Sequence, residues 1–299
     1  MTRSLSHRQL WVGFLLYPGH TLPTAAAPVL VAAGLAVHDG VLAPLPLAVA
    51  FLGSWLIHLG GVFADQHELV RRHPQIPEHP ELLRALADGS LELASLRRSI
   101  LLCFGLAALT APYLVYLGGA PALLIGIVGV ASSLFYAAGP LRYAPRGIAD
   151  SIFFAMFGVV AVAGAYYIQA HAFPASAFVV GVPVGALVTN VLIIDDIRDR
   201  EFDAAKGWRT GAVRFGAGWS RGEYLALSAL AYLAPFGFWR VLGFSAWVLL
   251  PLLTLPWAAR IAATVRTSGQ REALIPMTPR ASMLSLAYSV LLGAGVAVS

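Results

Sequence analysis

The sequence predicts an all-α, polytopic membrane protein with about nine transmembrane helices, and the prediction rests on composition, on apolar runs and on charge placement. Of 299 residues, 58% are hydrophobic and only 12% charged, whereas soluble domains carry about a quarter charged residues. Mean hydropathy is +0.74. Apolar stretches near 10–37, 41–64, 99–117, 120–138, 147–169, 174–194, 222–239, 244–259 and 281–298 each approach the length a spanning helix needs. Basic residues then fall in alternate connections. Arg3 and Arg8 precede the first stretch, Arg71, Arg72, Arg84, Arg97 and Arg98 follow the second, and Arg142 and Arg146 follow the fourth. Arg198 to Arg221 follow the sixth, and Arg260, Arg266, Arg271 and Arg280 lie between the eighth and ninth. Of twenty basic residues only Arg240 falls on the other side. By the positive-inside rule the N-terminus and both long polar loops face the cytoplasm, and the C-terminus is external.

The same placement accounts for a net charge of +5 and a pI near 9.6 without nucleic acid, for which there is no motif. Cys103 stands alone in an apolar run, so it reads as a packing residue with no internal disulfide. The first apolar stretch runs through Pro18 and Pro23 without a small-residue cleavage site, which argues against a cleaved signal. With no linker or low-complexity tract, residues 1–299 read as a single membrane-embedded domain.

Taken in order, the first span carries Pro18, Gly19, His20, Pro23 and Pro28, a pattern for a kinked entry into the bilayer. The second ends in Asp65, Glu68 and Arg72, at i, i+3 and i+7 on one helical face. A polar loop of roughly thirty residues follows, longer than ordinary connections and of the kind used as a lid; Arg84 within it is a candidate diphosphate ligand. Between the fourth and fifth spans lie Tyr136, Arg142 and Asp150, the last an acid at the edge of a span and so a functional candidate. Phe153 and Phe157, one turn apart in the fifth span, form an aromatic face able to attract a cation. Spans seven to nine carry few polar signals and read as scaffold.

The sixth span leads into the densest charge in the chain. Asn190 to Gly216 holds five of the fifteen acidic residues. In a helix, Asp195, Asp199 and Asp203 stand at i, i+4 and i+8, three carboxylates on one face about 6 Å apart along the axis. Such a row repels itself unless cations face it, and hard oxygen donors suit Mg²⁺, which keeps waters and bridges carboxylates to substrate phosphates. Arg198, Arg200, Lys206, Arg209 and Arg214 follow and supply donors for phosphate oxygens. The chemistry indicated is a diphosphate held by metal and by basic side chains. A charged loop serving topology alone is the competing reading of these residues, as an ion-paired helix end is for Asp65 and Glu68.

Four stretches carry a resemblance: Thr21-Leu-Pro-Thr-Ala-Ala-Ala-Pro28, Gly139-Pro-Leu-Arg-Tyr-Ala-Pro-Arg-Gly147, Phe157 to Gln169, and Ile197-Arg-Asp-Arg-Glu-Phe-Asp203 with Gly207-Trp-Arg-Thr210 and Ala212 to Gly216. Together they resemble the UbiA superfamily of intramembrane prenyltransferases, most closely its 1,4-dihydroxy-2-naphthoate polyprenyltransferase branch. The resemblance implies a UbiA-type helical bundle and Mg²⁺-dependent transfer of a prenyl group from a polyprenyl diphosphate to an aromatic acceptor in quinone synthesis. It implies metal ligands among Asp65, Glu68, Asp195, Asp199 and Asp203. Arg84, Arg142, Arg198, Lys206, Arg209, Tyr136 and Asn190 are the implied substrate contacts. Asp65, Asp150, Asp199 and Asp203 are the catalytic candidates, with the general base open between Asp65 and Asp150. Three departures stand out, one of them Trp208 in place of a usual lysine. The family's first motif, Asn-Asp-x-x-Asp-x-x-x-Asp, keeps Asp65 but is otherwise degraded, and Asp195 and Asp196 replace a common asparagine pair. A cyclase of the same superfamily, which quenches the cation internally, is the alternative activity; a cation-coupled transporter is disfavoured because the acids sit at helix ends and not at the midplane.

Overall fold

The computed structural model describes residues 21–89 and 91–299, and all their regular structure is helical. The helices are α1 Leu22–His38, α2 Pro44–Arg72, α3 Pro80–Ala87, α4 Leu93–Leu134, α5 Ala149–Ala170 and α6 Ala175–Arg198. They continue with α7 Arg200–Ala205, α8 Gly211–Phe215, α9 Ala217–Arg240, α10 Ala246–Thr267 and α11 Arg271–Ala297. Prolines at the first turn of α1, α2 and α3 favour those starts, where the missing N–H costs no helical bond.

Among the described residues six helices, α2, α4, α5, α6, α10 and α11, are long and apolar enough to cross a membrane. The expected division into nine is less even than the apolar runs suggest. The stretches near 99–117 and 120–138 are halves of the 42-residue α4, which breaks where Gly119 takes φ +61 and Pro121 restarts the helix. The first stretch is represented by the 17-residue α1, and its segment before residue 21, with Pro18 and His20, lies outside the described residues. The stretch near 222–239 forms the 24-residue α9, which is not among the six.

Small residues let the helices close on one another, as is usual where lipid offers no hydrophobic drive to association. A Cβ placed on Gly34 of α1 would stand 2.1 Å from the carbonyl oxygen of Gly293 on α11. Gly158 of α5 lies as tightly against Gly181 and Gly185 of α6. The centre of the bundle is α6, buried along almost its whole length, and behind it the Tyr288 hydroxyl donates to the Ala231 carbonyl at 2.5 Å. On the perimeter Leu101, Leu109 and Tyr116 of α4 are exposed, as a surface solvated by lipid requires. The consequence for the site is that the C-terminal ends of α2 and α6 open into one cavity.

Candidate active site

The acid row survives a break in its helix. The helix α6 ends at Arg198 and α7 begins at Arg200, with Asp199 between them at φ −103 and ψ 13. The i to i+4 bonds nevertheless continue, from Asp199 N–H to the Asp195 carbonyl at 2.8 Å and from Asp203 N–H to the Asp199 carbonyl at 2.9 Å. Asp195, Asp199 and Asp203 therefore stay on successive turns and line a single cavity of about 890 Å³. Asp65 of α2 lines it from the facing side, with Gly61, Val62 and Gln66. The other walls are largely apolar, with Pro28, Ile57, Met156, Val188 and Val191 among them.

Every cation at the polar end is engaged with carboxylate. Arg198 reaches Asp195 at 2.5 Å and also binds Asp199. Arg271, from the start of α11, donates to Asp199 at 3.0 Å and to the Glu78 carbonyl at 2.9 Å. Lys206 lies between Asp203 at 2.9 Å and Glu78 at 2.5 Å, its ammonium over the Trp208 ring at 4.1 Å. Burial pushes the Asp203 carboxyl up to about 6 even though Lys206 opposes the shift. Burial alone would lower Lys206, but the charges of Asp203 and Glu78 carry it above the ordinary lysine value. His79 is held below the usual histidine range, chiefly by burial.

Six carboxylates line the cavity, Asp65, Glu78, Asp195, Asp196, Asp199 and Asp203, against the three cations Arg198, Lys206 and Arg271. The wall thus carries an excess of formal negative charge. Among the described residues no three Asp, Glu, His or Cys side chains already converge as a complete metal cage. The donor set instead fits the manner in which Mg²⁺ is usually held, by one or two carboxylates, waters and substrate phosphate oxygens.

The structure divides the sequence-predicted residues. Asp65, Asp195, Asp199, Asp203, Arg198, Lys206 and Tyr136 share the cavity wall. Glu68 does not line the cavity; it pairs with Arg71 and Arg72 at 2.7 Å each. Asn190 is buried between α6 and α9, where its amide donates to Ser228 at 2.9 Å. Arg84 and Arg209 are exposed and Arg142 half-buried, all three outside the cavity wall. Asp150 is also outside it, its carboxylate beside Ser220 and Glu223 around Gly211. Asp196, noted in the sequence only as a departure from the family pattern, and Glu78 and His79 from the loop between α2 and α3, with Arg271 and Thr278 from α11, complete the wall. Thr278 donates to Asp195 at 2.5 Å and accepts from Arg198 at 2.9 Å. Deeper in, Tyr136, Phe153 and Phe157 form a continuous aromatic wall, with ring centroids 5.4 Å and 5.2 Å apart in succession.

Known proteins share this architecture and sequence. The 1,4-dihydroxy-2-naphthoate octaprenyltransferase of Mycobacterium tuberculosis is 28% identical over 289 residues, covering 93% of this chain and 94% of that protein. The enzyme of the same name from Haemophilus influenzae is 26% identical over 266 residues, covering 85% and 84%. Among solved structures, an apo UbiA homologue from Aeropyrum pernix superposes with a TM-score of 0.67 at 17% identity, covering 92% of this chain and 97% of that one. A UbiA homologue from Archaeoglobus fulgidus bound to DMAPP and Mg²⁺ gives 0.59 at 15% identity, covering 92% and 99%. Residues 25–278 match the UbiA prenyltransferase family, and this chain belongs to that family.

Proposed function

We propose that the protein transfers a prenyl group from a polyprenyl diphosphate to an aromatic acceptor of the 1,4-dihydroxy-2-naphthoate type, with Mg²⁺ as cofactor, on the cytoplasmic side of a membrane. The observation that carries this reading is a single cavity, apolar through most of its wall and charged at one end by six carboxylates and three cations. An amphipathic donor with an apolar chain and a diphosphate head matches that polarity. The acceptor is suggested by the curated relatives and the cytoplasmic orientation by the distribution of basic residues.

Asp199 and Asp203, with Asp195 and Asp65, are the residues that would hold Mg²⁺. Bound there, the metal supplies Lewis-acid neutralisation of the charge that grows on the departing diphosphate. The chain's own cations act on the same charge: Arg198, Lys206 and Arg271 line the cavity and supply positive charge beside the carboxylates that pair with them. As the allylic C–O bond breaks, both electrons leave with the diphosphate. The aromatic wall of Tyr136, Phe153 and Phe157 faces the cation that remains and excludes water from it. A ring carbon of the acceptor then supplies the electron pair for the new C–C bond, and the ring recovers aromaticity by losing a proton or, from a carboxylated position, carbon dioxide. Of the two candidate bases only Asp65 lines the cavity, which supports Asp65 over Asp150 as the group that takes the proton.

Purified protein in detergent, given geranylgeranyl or farnesyl diphosphate and Mg²⁺ with and without 1,4-dihydroxy-2-naphthoate, tests the reading. Acceptor-dependent diphosphate release with a prenylated 1,4-dihydroxynaphthalene, recovered as the naphthoquinone after oxidation by air, is the expected result. Release without acceptor, giving a hydrocarbon or terpene alcohol, would replace it with the cyclase reading.

A further inference from the structure

We infer that Arg271 is a diphosphate-binding residue, supplied to the site by the start of the last helix. The inference rests on the prenyl diphosphate reading above and extends it to a segment whose sequence gives no sign of a site.

Arg271 lines the cavity with about a quarter of its side chain accessible. Its Nε donates to Asp199 Oδ1 at 3.0 Å and its Nη2 to the Glu78 carbonyl at 2.9 Å, while its guanidinium lies 5.0 Å from the centre of the Phe202 ring. The flat group is thus oriented on three sides by α7, the α6–α7 junction and the lid loop. A carboxylate that takes up a divalent cation loses its attraction for a neighbouring guanidinium. With a divalent cation on Asp199, the Arg271 Nε–H would be released beside it, at the end of the cavity where the phosphate group would bind. Arg198 is less available, because it is shared between Asp195 and Asp199 and also donates to Thr278. Nη2 also lies 3.0 Å from Asp199 Oδ1, so both nitrogens that face Asp199 would be released together, while the Nη2 bond to the Glu78 carbonyl holds the loop between α2 and α3.

The test uses full-length protein at saturating Mg²⁺ and measures inhibition by inorganic diphosphate together with the donor KM. Arg271→Ala is expected to raise the diphosphate inhibition constant and the donor KM by about 10- to 100-fold, the loss of a charge-assisted contact, and to leave the acceptor KM unchanged. Arg271→Lys should recover part of the loss, and Arg280→Ala, at an exposed arginine on the same helix, should match the wild type. A purely structural arginine that props Asp199 would behave otherwise: the Mg²⁺ needed for half-maximal rate would rise while diphosphate inhibition at saturating Mg²⁺ stayed put. That result overturns the inference. So does an unaltered diphosphate inhibition constant in Arg271→Ala. If Arg271→Ala does not fold, Arg271→Lys and Arg271→Gln carry the same comparison, and equal diphosphate inhibition in both would overturn it. Wild-type protein that turns over no prenyl diphosphate and binds no inorganic diphosphate by calorimetry would instead remove the functional reading itself, and this inference with it.

Discussion

Lys206 and Glu78, 128 residues apart in the chain, form an ion pair at 2.5 Å in which the lysine side chain is almost wholly buried. The contact ties the lid loop to the turn after α7 and sets the electrostatics of Asp203, the other partner of Lys206.

A pH dependence follows. Asp203 is pushed up to about 6 by burial, Lys206 opposes the rise, and the negative charge of Glu78 adds to it. A carboxyl with a raised pKa is protonated below that value and then cannot ligate metal. At limiting Mg²⁺, activity should fall as pH drops through about 6, instead of near the ordinary carboxylate value of about 4. Glu78→Gln removes one of the charges that raise the pKa and frees Lys206 to act on Asp203 alone, so the acid limb should move to lower pH. The pH–rate profiles of the two proteins check this; coincident limbs would exclude Glu78 as the cause.

Asp199 has the most cationic surroundings in the site, with Arg198 on one oxygen and Arg271 on the other. Asp199→Asn keeps the shape and removes the charge. Diphosphate release should fall by more than about 100-fold, the scale of losing a group that stabilises charge in the transition state. Because the change also removes a carboxylate shared by Arg198 and Arg271, thermal unfolding in detergent should be measured beside the rate. Near wild-type release from the Asn variant would remove Asp199 from the metal site.

How much of this is legible in the sequence depends on how each residue reaches the cavity. The row Asp195, Asp199, Asp203 is legible because one helical period carries all three, and the period persists through the α6–α7 break. Glu78 has no such signal: it lies in a proline-rich loop without periodicity and enters the site through long-range contacts with Lys206 and Arg271. Arg271 and Thr278 are invisible for the same reason, since only the packing of α11 beside α6 brings them to Asp199 and Asp195. Nearness in sequence misleads in the other direction for Arg209. Beyond Gly207, at φ +75, its backbone N–H docks on the Pro145 carbonyl and the side chain is exposed. The boundary between the stretches near 99–117 and 120–138 is legible, because Gly119 leaves the helical region at φ +61 and Pro121 starts the next run, dividing α4 between the two apolar stretches.

The meeting of α1 and α11 gives a packing prediction. A Cβ at Gly34 would stand 2.1 Å from the Gly293 carbonyl oxygen, and one at Gly293 would stand 2.7 Å from the Leu30 carbonyl oxygen. Neither neighbour is a side chain that can rotate away, so the helices must separate. Gly34→Ala should destabilise the protein by about 1–3 kcal/mol, the usual cost of overpacking, and Gly293→Ala by a smaller amount within that range. Scanning fluorimetry in detergent reads both. Gly105→Ala, where an added Cβ meets nothing within 4 Å, is the control and should leave the transition in place.

The aromatic wall gives a prediction about the cation itself. Phe153 and Phe157 face the cavity from the π-helical stretch of α5, which carries Phe157 and follows directly on Phe153, and α5 is held against α6 at Gly158. If the wall serves only to pack the prenyl chain, Phe153→Leu should alter the donor KM and leave kcat near its original value, because leucine packs an isoprenoid about as well as phenylalanine does. If the rings stabilise an allylic cation, the loss appears in kcat. A cation–π contact of about 0.5–2 kcal/mol corresponds to roughly a 2- to 30-fold fall in rate. We expect the second pattern for Phe153→Leu and Phe157→Leu, with Phe153→Tyr and Phe157→Trp keeping most of the rate since each retains a π face. Single-turnover rates of diphosphate release at saturating donor separate the chemical step from product release. An undiminished single-turnover rate in both leucine variants would assign the wall to chain binding alone.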